Sequence, residues 1–134
     1  MQPHEVYSLR ARDVMNRAYA LVSPLDTVQD AVKKMMDCNC QVAIVDRADE
    51  NDAYGLLTYQ EIVYNVEAKS LPATRTRVGD VMVKPLIVVN PNLRLPFVAQ
   101  LFSRFHIQNA IVIEEHVLAG VISSSDLVRA LVSA

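Results

Sequence analysis

The chain repeats itself, and this limits what it can fold into more than any other feature. Asp13-Val14-Met15 returns as Asp80-Val81-Met82 and Ser23-Pro24 as Asn90-Pro91, both at an offset of 67 residues, from Met15 to Met82 and from Ser23 to Asn90. Self-similarity at a fixed offset means one supersecondary unit made twice. The apolar faces agree at the same offset. Val28, Ala31, Val32 and Met35 fall on Leu95, Val98, Ala99 and Phe102, a helical spacing that predicts one amphipathic helix per repeat. Asp26 or Thr27 can cap the first helix; Asn92 caps the second, with Pro96 tolerated in its opening turn.

Each helix leads into a β-branched run, Val42 to Val45 and Ala110 to Ile113, too short for another helix and read as a buried strand. Polar turns follow at 46–53 and 114–116. The first is longer, so the offset falls to 65 where Gly55 meets Gly120. Beyond each glycine a strand passes into a helix, with apolar positions Ile62, Val63, Val66 and Leu127, Val128, Leu131, Val132. Short strands, Ala20 to Val22 and Leu86 to Val89, precede the first helices. The fold class is α/β, two β-α-β-β-α repeats, neither able to bury both sheet faces alone. The boundaries read as an extension 1–12, repeat one 13–66, a polar linker 67–77 and repeat two 78–134. The two repeats are expected to pack through their sheets about a pseudo-twofold axis, with clefts where strands end and helices begin.

Composition narrows the function classes. The chain has 134 residues, 51% apolar and 21% charged, enough to bury a core. A net charge of −2 with no block of like charges indicates neither a nucleic-acid footprint nor a polybasic membrane anchor. No apolar run approaches a membrane span, and MQPHEVYSLRARD is not a signal peptide, so a cytoplasmic location is expected. Cys38 and Cys40 read as reduced thiols, because a bond between them is expected to be strained. Two cysteines do not supply the four ligands of a structural zinc site, so no metal is expected.

These residues resemble a tandem pair of cystathionine-β-synthase-type (CBS) domains, a Bateman module. The carriers are the two D-V-M segments, the Ser/Asn-Pro turns, the A-I-V strands, and the endings Gly55 to Glu61 and Gly120 to Asp126, in register with each other. The segment from Ile62 to Asn92 also resembles bacterial and cyanobacterial stand-alone CBS proteins. Some of those carry a cysteine-bearing, redox-sensitive tail, which this sequence, read to Ala134, does not contain. The resemblance implies a regulatory module that binds adenosine-containing ligands (AMP, ADP, ATP or S-adenosylmethionine), requires no cofactor, forms homodimers and acts on a regulated partner protein. The fold alone does not fix the ligand.

A ribose can donate two hydroxyls to one carboxylate, and Asp126, just inside a helix start, suits that role. Ser123 and the following backbone N–H groups can receive a phosphate. The strands through Ile87 to Val89 and through Asn109, Ala110 and Ile111 can flank an adenine. Arg129, one turn after Asp126, can neutralise a phosphate or remain a solvated charge. The first repeat offers Thr58, Glu61, Val22 and Ala43 as a weaker second site, since Glu61 extends the carboxylate by one methylene towards the ribose. Tyr59 beside it can stack on a base or cover core. Thr58-x-x-Glu61 and Ser123-x-x-Asp126 also match a helix capping box, and both readings can hold together.

Catalysis finds little support. His4, His106 and His116 lie in a terminus, a helix end and a hairpin turn, and no triad forms from them. Ser123, Ser124 and Ser125 lack a G-x-S-x-G elbow, and Gly55, Gly79 and Gly120 match no dinucleotide or P-loop spacing. A structural dimerisation or scaffold module with non-functional clefts is the alternative to a sensor.

Overall fold

The structure, a computed structural model, describes residues 8–84 and 87–132. Residues 1–7 of the expected extension, with His4, and the expected strand start at Leu86 lie outside the described residues. In chain order the elements are α1 (Ala11–Val14), β1 (Ala20–Val22), α2 (Val28–Asp37), β2 (Val42–Val45), β3 (Gly55–Thr58) and α3 (Tyr59–Ile62). A π-helical turn (Val63–Glu67) continues α3. Then come α4 (Val78–Val81), β4 (Val88–Val89), α5 (Leu95–Phe105), β5 (Asn109–Glu114), β6 (Val117–Ser123) and α6 (Ser124–Ala130). Each repeat makes a three-stranded sheet, β1-β2-β3 and β4-β5-β6, whose first two strands are parallel and last two antiparallel. The parallel pair needs a crossover, and the amphipathic helix of each repeat supplies it.

Among the described residues the chain divides into two compact units, 18–84 and, together, 8–17 with 87–132. These cuts differ from the repeat boundaries 13–66 and 78–134, and the reason is in the backbone hydrogen bonds. The N–H groups of Ala11 and Arg12 go to Leu93 O and Pro91 O at 2.8 and 2.9 Å, and those of Val78 and Gly79 to Asp26 O and Pro24 O at 2.9 and 2.9 Å. Asn16 and Val121 exchange N–H···O bonds of 2.7 and 3.0 Å, and Leu56 and Val83 do the same at 2.7 and 2.9 Å. Each D-V-M segment therefore completes the other repeat's strands and helix. The two glycines in register allow this, since a Cβ on Gly120 would lie 2.7 Å from Asn16 O and one on Gly55 2.6 Å from Met82 Sδ.

The stretch 67–77, expected as a polar linker, is fastened to α2. A helix start leaves four N–H groups without intrahelical partners. Here Val28 N–H goes to Thr76 O, Gln29 N–H to Ala73 O, Asp30 N–H to the Thr27 hydroxyl and Ala31 N–H to Thr27 O. Thr27 is thus the cap, one of the two residues expected. At α5 the expected cap Asn92 does not serve. Leu95 N–H is taken by Leu9 O, Pro96 has no N–H to satisfy, and Asn92 Oδ1 accepts from Arg12 at 2.6 and 3.1 Å.

The core of the first unit gathers Val28, Ala31 and Met35 of α2 with Ala20, Val22, Ala43, Val45 and Leu57 of its sheet. The second does the same with Leu95, Val98 and Phe102 against Val89, Ala110, Val112 and Ile122. Full burial of residues such as Val28 or Met35 contributes about 1.5–3 kcal/mol each. On the opposite sheet faces, Ile44, Leu56, Ile111 and Val121 are buried too.

The hairpin loops differ as the repeat offset requires. In the first, Asp52 accepts from Ala48 N–H and Lys84 Nζ at 3.0 Å each, and these bonds, the backbone one foremost, hold its carboxyl below the ordinary range. In the second, only Glu115 and His116 join β5 to β6, both left-handed at φ 49° and 68°. Residues other than glycine and asparagine resist that conformation by about 1–2 kcal/mol each. Glu115→Asn with His116→Gly should therefore raise stability by about 1–2 kcal/mol, read as a higher urea midpoint at unchanged slope.

Cys38 and Cys40, expected as reduced, are joined by a disulfide. Left-handed Asn39, at φ 55°, turns the chain back as α2 ends and brings its two neighbours together. No helix among the described residues is long and apolar enough to cross a membrane.

Candidate functional site

The second repeat gathers its polar candidates where β5 begins and β6 ends. Asn109 pairs with Ser123 across the two strands, and Ser123 caps α6. Asp126, in the first turn, is only 8% exposed although charged. A buried carboxylate must be hydrogen-bonded. Its Oδ2 accepts the Ser123 N–H at 2.8 Å and the Ser123 hydroxyl at 2.9 Å, while Oδ1 accepts Arg129 Nη2 at 2.5 Å. Each carboxylate oxygen has two acceptor positions, so Oδ2 is filled and Oδ1 retains one.

Arg129 is thus committed to Asp126 rather than standing free, although its side chain stays 66% exposed. Of the backbone donors expected to meet a phosphate, Ser124 N–H goes to Gln108 O at 2.9 Å and Asp126 N–H to Ser123 Oγ at 3.3 Å. The Ser123 hydroxyl meets Ser125 Oγ at 2.9 Å as well as Asp126. Both of these partners lie in the first turn of α6, and His106 is an exposed residue at the left-handed C-cap of α5.

The apolar candidates lie differently. The side chains of Val89 and Ala110 belong to the helix-facing core, so only the backbone of these two can meet a ligand, whereas Ile87 is half-buried against that core. Ile111 is fully buried on the opposite sheet face. In the first repeat Val22 and Ala43 are likewise core residues.

Thr58 and Glu61 reproduce the Ser123–Asp126 pattern one methylene longer. Glu61 Oε1 accepts both the Thr58 N–H and its hydroxyl at 2.8 Å. At the offset of 65 residues Arg129 corresponds to Tyr64, which is exposed, so the first repeat has no cation on its carboxylate at that position. Tyr59 is 45% exposed and does not cover the core.

Clefts are expected where strands end and helices begin, but of the residues lining the one of about 530 Å³ at the carboxyl ends of β1 and β2 (Val22, Ser23, Pro24, Leu25, Asp46 and Arg47 among others) sequence reasoning named only Val22. The signal was available, since ligand crevices in parallel sheets gather at strand carboxyl ends. Arg47 is steadied there by the Tyr54 ring, 4.9 Å from its guanidinium carbon. Among the described residues no group of three or more His, Cys, Asp or Glu side chains is placed to hold a metal.

Two three-stranded α/β units, each closed by a D-V-M segment and ending in a capping box of a hydroxyl and a carboxylate, define a paired-repeat module. The chain belongs to the CBS domain family, whose sequence profile matches residues 11–68 and 78–133, and it carries two CBS repeats. It is similar to a hexameric CBS-CP12 protein from bloom-forming cyanobacteria, with 38% identity and a TM-score of 0.86 over 91% of this chain and 71% of that one. It is 32% identical over 110 residues to the mitochondrial CBS domain-containing protein CBSX3 of Arabidopsis thaliana, covering 80% of this chain but only 53% of that protein. It is also 28% identical over 116 residues to CBS domain-containing protein YhcV of Bacillus subtilis, with 87% and 81% covered.

Proposed function

We propose that the chain is a cytoplasmic, non-catalytic regulatory module that binds an adenosine-containing ligand beside Asp126 and passes its occupancy to a partner protein. The observation that carries this reading is the buried Asp126 carboxylate, held by Ser123 and Arg129 with one acceptor position open. A ribose hydroxyl can take that position, and displacement of Arg129 admits the second hydroxyl while freeing a guanidinium for a phosphate. Transmission requires unequal ligand affinity for two states of the module. Titration calorimetry with AMP, ADP, ATP, NAD and S-adenosylmethionine tests it. Saturable binding of one of them at about one per chain is expected; no binding by any would overturn the reading.

One observation favours a scaffold instead: both capping-box carboxylates are already engaged within the chain. The same titration separates the two. For association we propose the outer face of α6. Leu127 packs into the core, but Val128 and Leu131 are 63% and 65% exposed. The cyanobacterial relative is described as hexameric. Val128→Lys with Leu131→Lys should shift sedimentation of a homodimer to that of a monomer; unchanged sedimentation would exclude this face.

A further inference from the structure

Helices α2 and α5 end in the same turn. Asn39 and His106, 67 residues apart, both take left-handed backbone, at φ 55° and 53°. The next N–H returns to the helix in each case, Cys40 to Met35 O at 2.8 Å and Ile107 to Phe102 O at 3.1 Å. Backbone hydrogen bonds alone close such a turn. In the second repeat the left-handed residue is flanked by Phe105 and Ile107; in the first it is flanked by Cys38 and Cys40, joined by a disulfide. The repeat thus contains its own control: the turn forms without the bond, so the bond is not what holds the fold there.

The two sulfur-bearing residues are unequal. Cys38 is exposed, whereas Cys40 is 6% exposed. An incoming thiolate therefore reaches Cys38 Sγ and expels Cys40 Sγ. The reduced state is also provided for, with Met35 O 3.6 Å from Cys38 Sγ and Ala18 O 3.5 Å from Cys40 Sγ, so each released thiol has an acceptor.

We propose that Cys38–Cys40 is a reversible thiol–disulfide exchange site whose substrate is a dithiol. One thiolate of the dithiol attacks Cys38 Sγ, the protein S–S bond breaks, and Cys40 leaves as a thiolate and takes up a proton. The second thiolate of the dithiol then attacks its own sulfur in the mixed disulfide, releasing Cys38. The protein gains two electrons and two protons, and the dithiol becomes a disulfide. The reverse sequence reoxidises the protein.

The test equilibrates the native full chain in graded ratios of reduced and oxidised dithiothreitol, traps with acid, alkylates in denaturant and reads intact mass. Two thiols should appear together along one two-electron curve, with an unchanged circular dichroism spectrum. A parallel arm uses a small C-x-x-C dithiol protein at the same concentration. Faster reduction by that protein assigns the natural substrate to protein dithiols; faster reduction by dithiothreitol assigns it to small ones. Thiols that appear only when denaturant is present during the reduction, or two thiols at every oxidising ratio, would overturn the proposal. Cys38→Ser should fold, as the Phe105 turn does, and show one thiol at every ratio. A ratio-dependent mass in that variant would exclude the intramolecular couple.

Discussion

Gly120→Ala should cost about 2–4 kcal/mol of stability, and Gly55→Ala clearly less, about 1–2 kcal/mol, although the two glycines occupy the same place in the two repeats. The added Cβ meets a different kind of atom in each. At Gly120 it would lie 2.7 Å from Asn16 O, a backbone carbonyl that accepts from Val121 N–H at 3.0 Å. Relief requires moving the α1 segment and weakening both Asn16–Val121 bonds. At Gly55 the closest atom is Met82 Sδ, the end of a flexible side chain, with Val45 Cβ next at 3.2 Å. A methionine can change rotamer, and the reduced freedom of the unfolded chain returns part of the loss. Chemical denaturation of the single variants and two double-mutant cycles checks this. Met82→Ala should relieve Gly55→Ala, giving a favourable coupling, whereas Asn16→Ala should leave Gly120→Ala unrelieved because the offending atom is backbone. Equal losses at the two glycines, or relief by Asn16→Ala, would refute the argument.

The same contact shows what the sequence could and could not say about the fold. The helices α2, α3, α5 and α6, the strand β1, the buried strands and the turn of register from 67 to 65 all follow from apolar spacing and punctuation, because those features act within one repeat; the short helices α1 and α4 at the D-V-M segments do not. Which copy a D-V-M segment closes does not. Its docking positions correspond in both repeats, with Pro91 and Leu93 standing where Pro24 and Asp26 stand, and their backbone carbonyls carry no sequence information. A local pattern cannot choose between a segment's own repeat and its twin. The attachment of the linker is hidden for a related reason: Ala73 and Thr76 cap α2 through carbonyls that every residue possesses. Asn92 was misplaced as a cap because the competing demand of Arg12 comes from far along the chain.

At the candidate site the polar residues were legible and their engagement was not. Ser123-x-x-Asp126 announces a capping box by its spacing, and the structure contains one. Arg129 at i+3 from Asp126 reads as a phosphate ligand or a solvated charge, and its pairing with Oδ1 on a side chain that stays 66% exposed is a third engagement that the spacing does not announce. The strand residues Val89 and Ala110 were legible as strand but not as to face, and the pleat turns their side chains into the core.

Asp126 is where the structural and ligand-binding roles can be separated by one atom. Asp126→Ala removes the acceptor for Ser123 N–H, the Ser123 hydroxyl and Arg129, and should cost about 1.5–3 kcal/mol of stability as a lost cap and lost charged hydrogen bonds. Glu61→Ala removes only the Thr58 pair from a half-buried site, and about 1 kcal/mol is expected. Loss of ligand in Asp126→Ala therefore does not by itself assign a ribose contact. Asp126→Asn does better. Its carbonyl oxygen can keep the Ser123 donors, so most of the cap survives, while its amide faces Arg129 and any ribose hydroxyl with a donor instead of an acceptor. If the carboxylate holds a ribose, Asp126→Asn should keep the thermal midpoint near that of the parent and weaken the bound nucleotide by about 10- to 150-fold, the equivalent of one or two charge-assisted hydrogen bonds. Glu61→Gln should change affinity by less than about threefold, because the longer side chain in the first repeat is not seated for the same contact. An Asp126→Asn protein that binds as tightly as its parent would remove Asp126 from the ligand site and leave it as the cap of α6 alone.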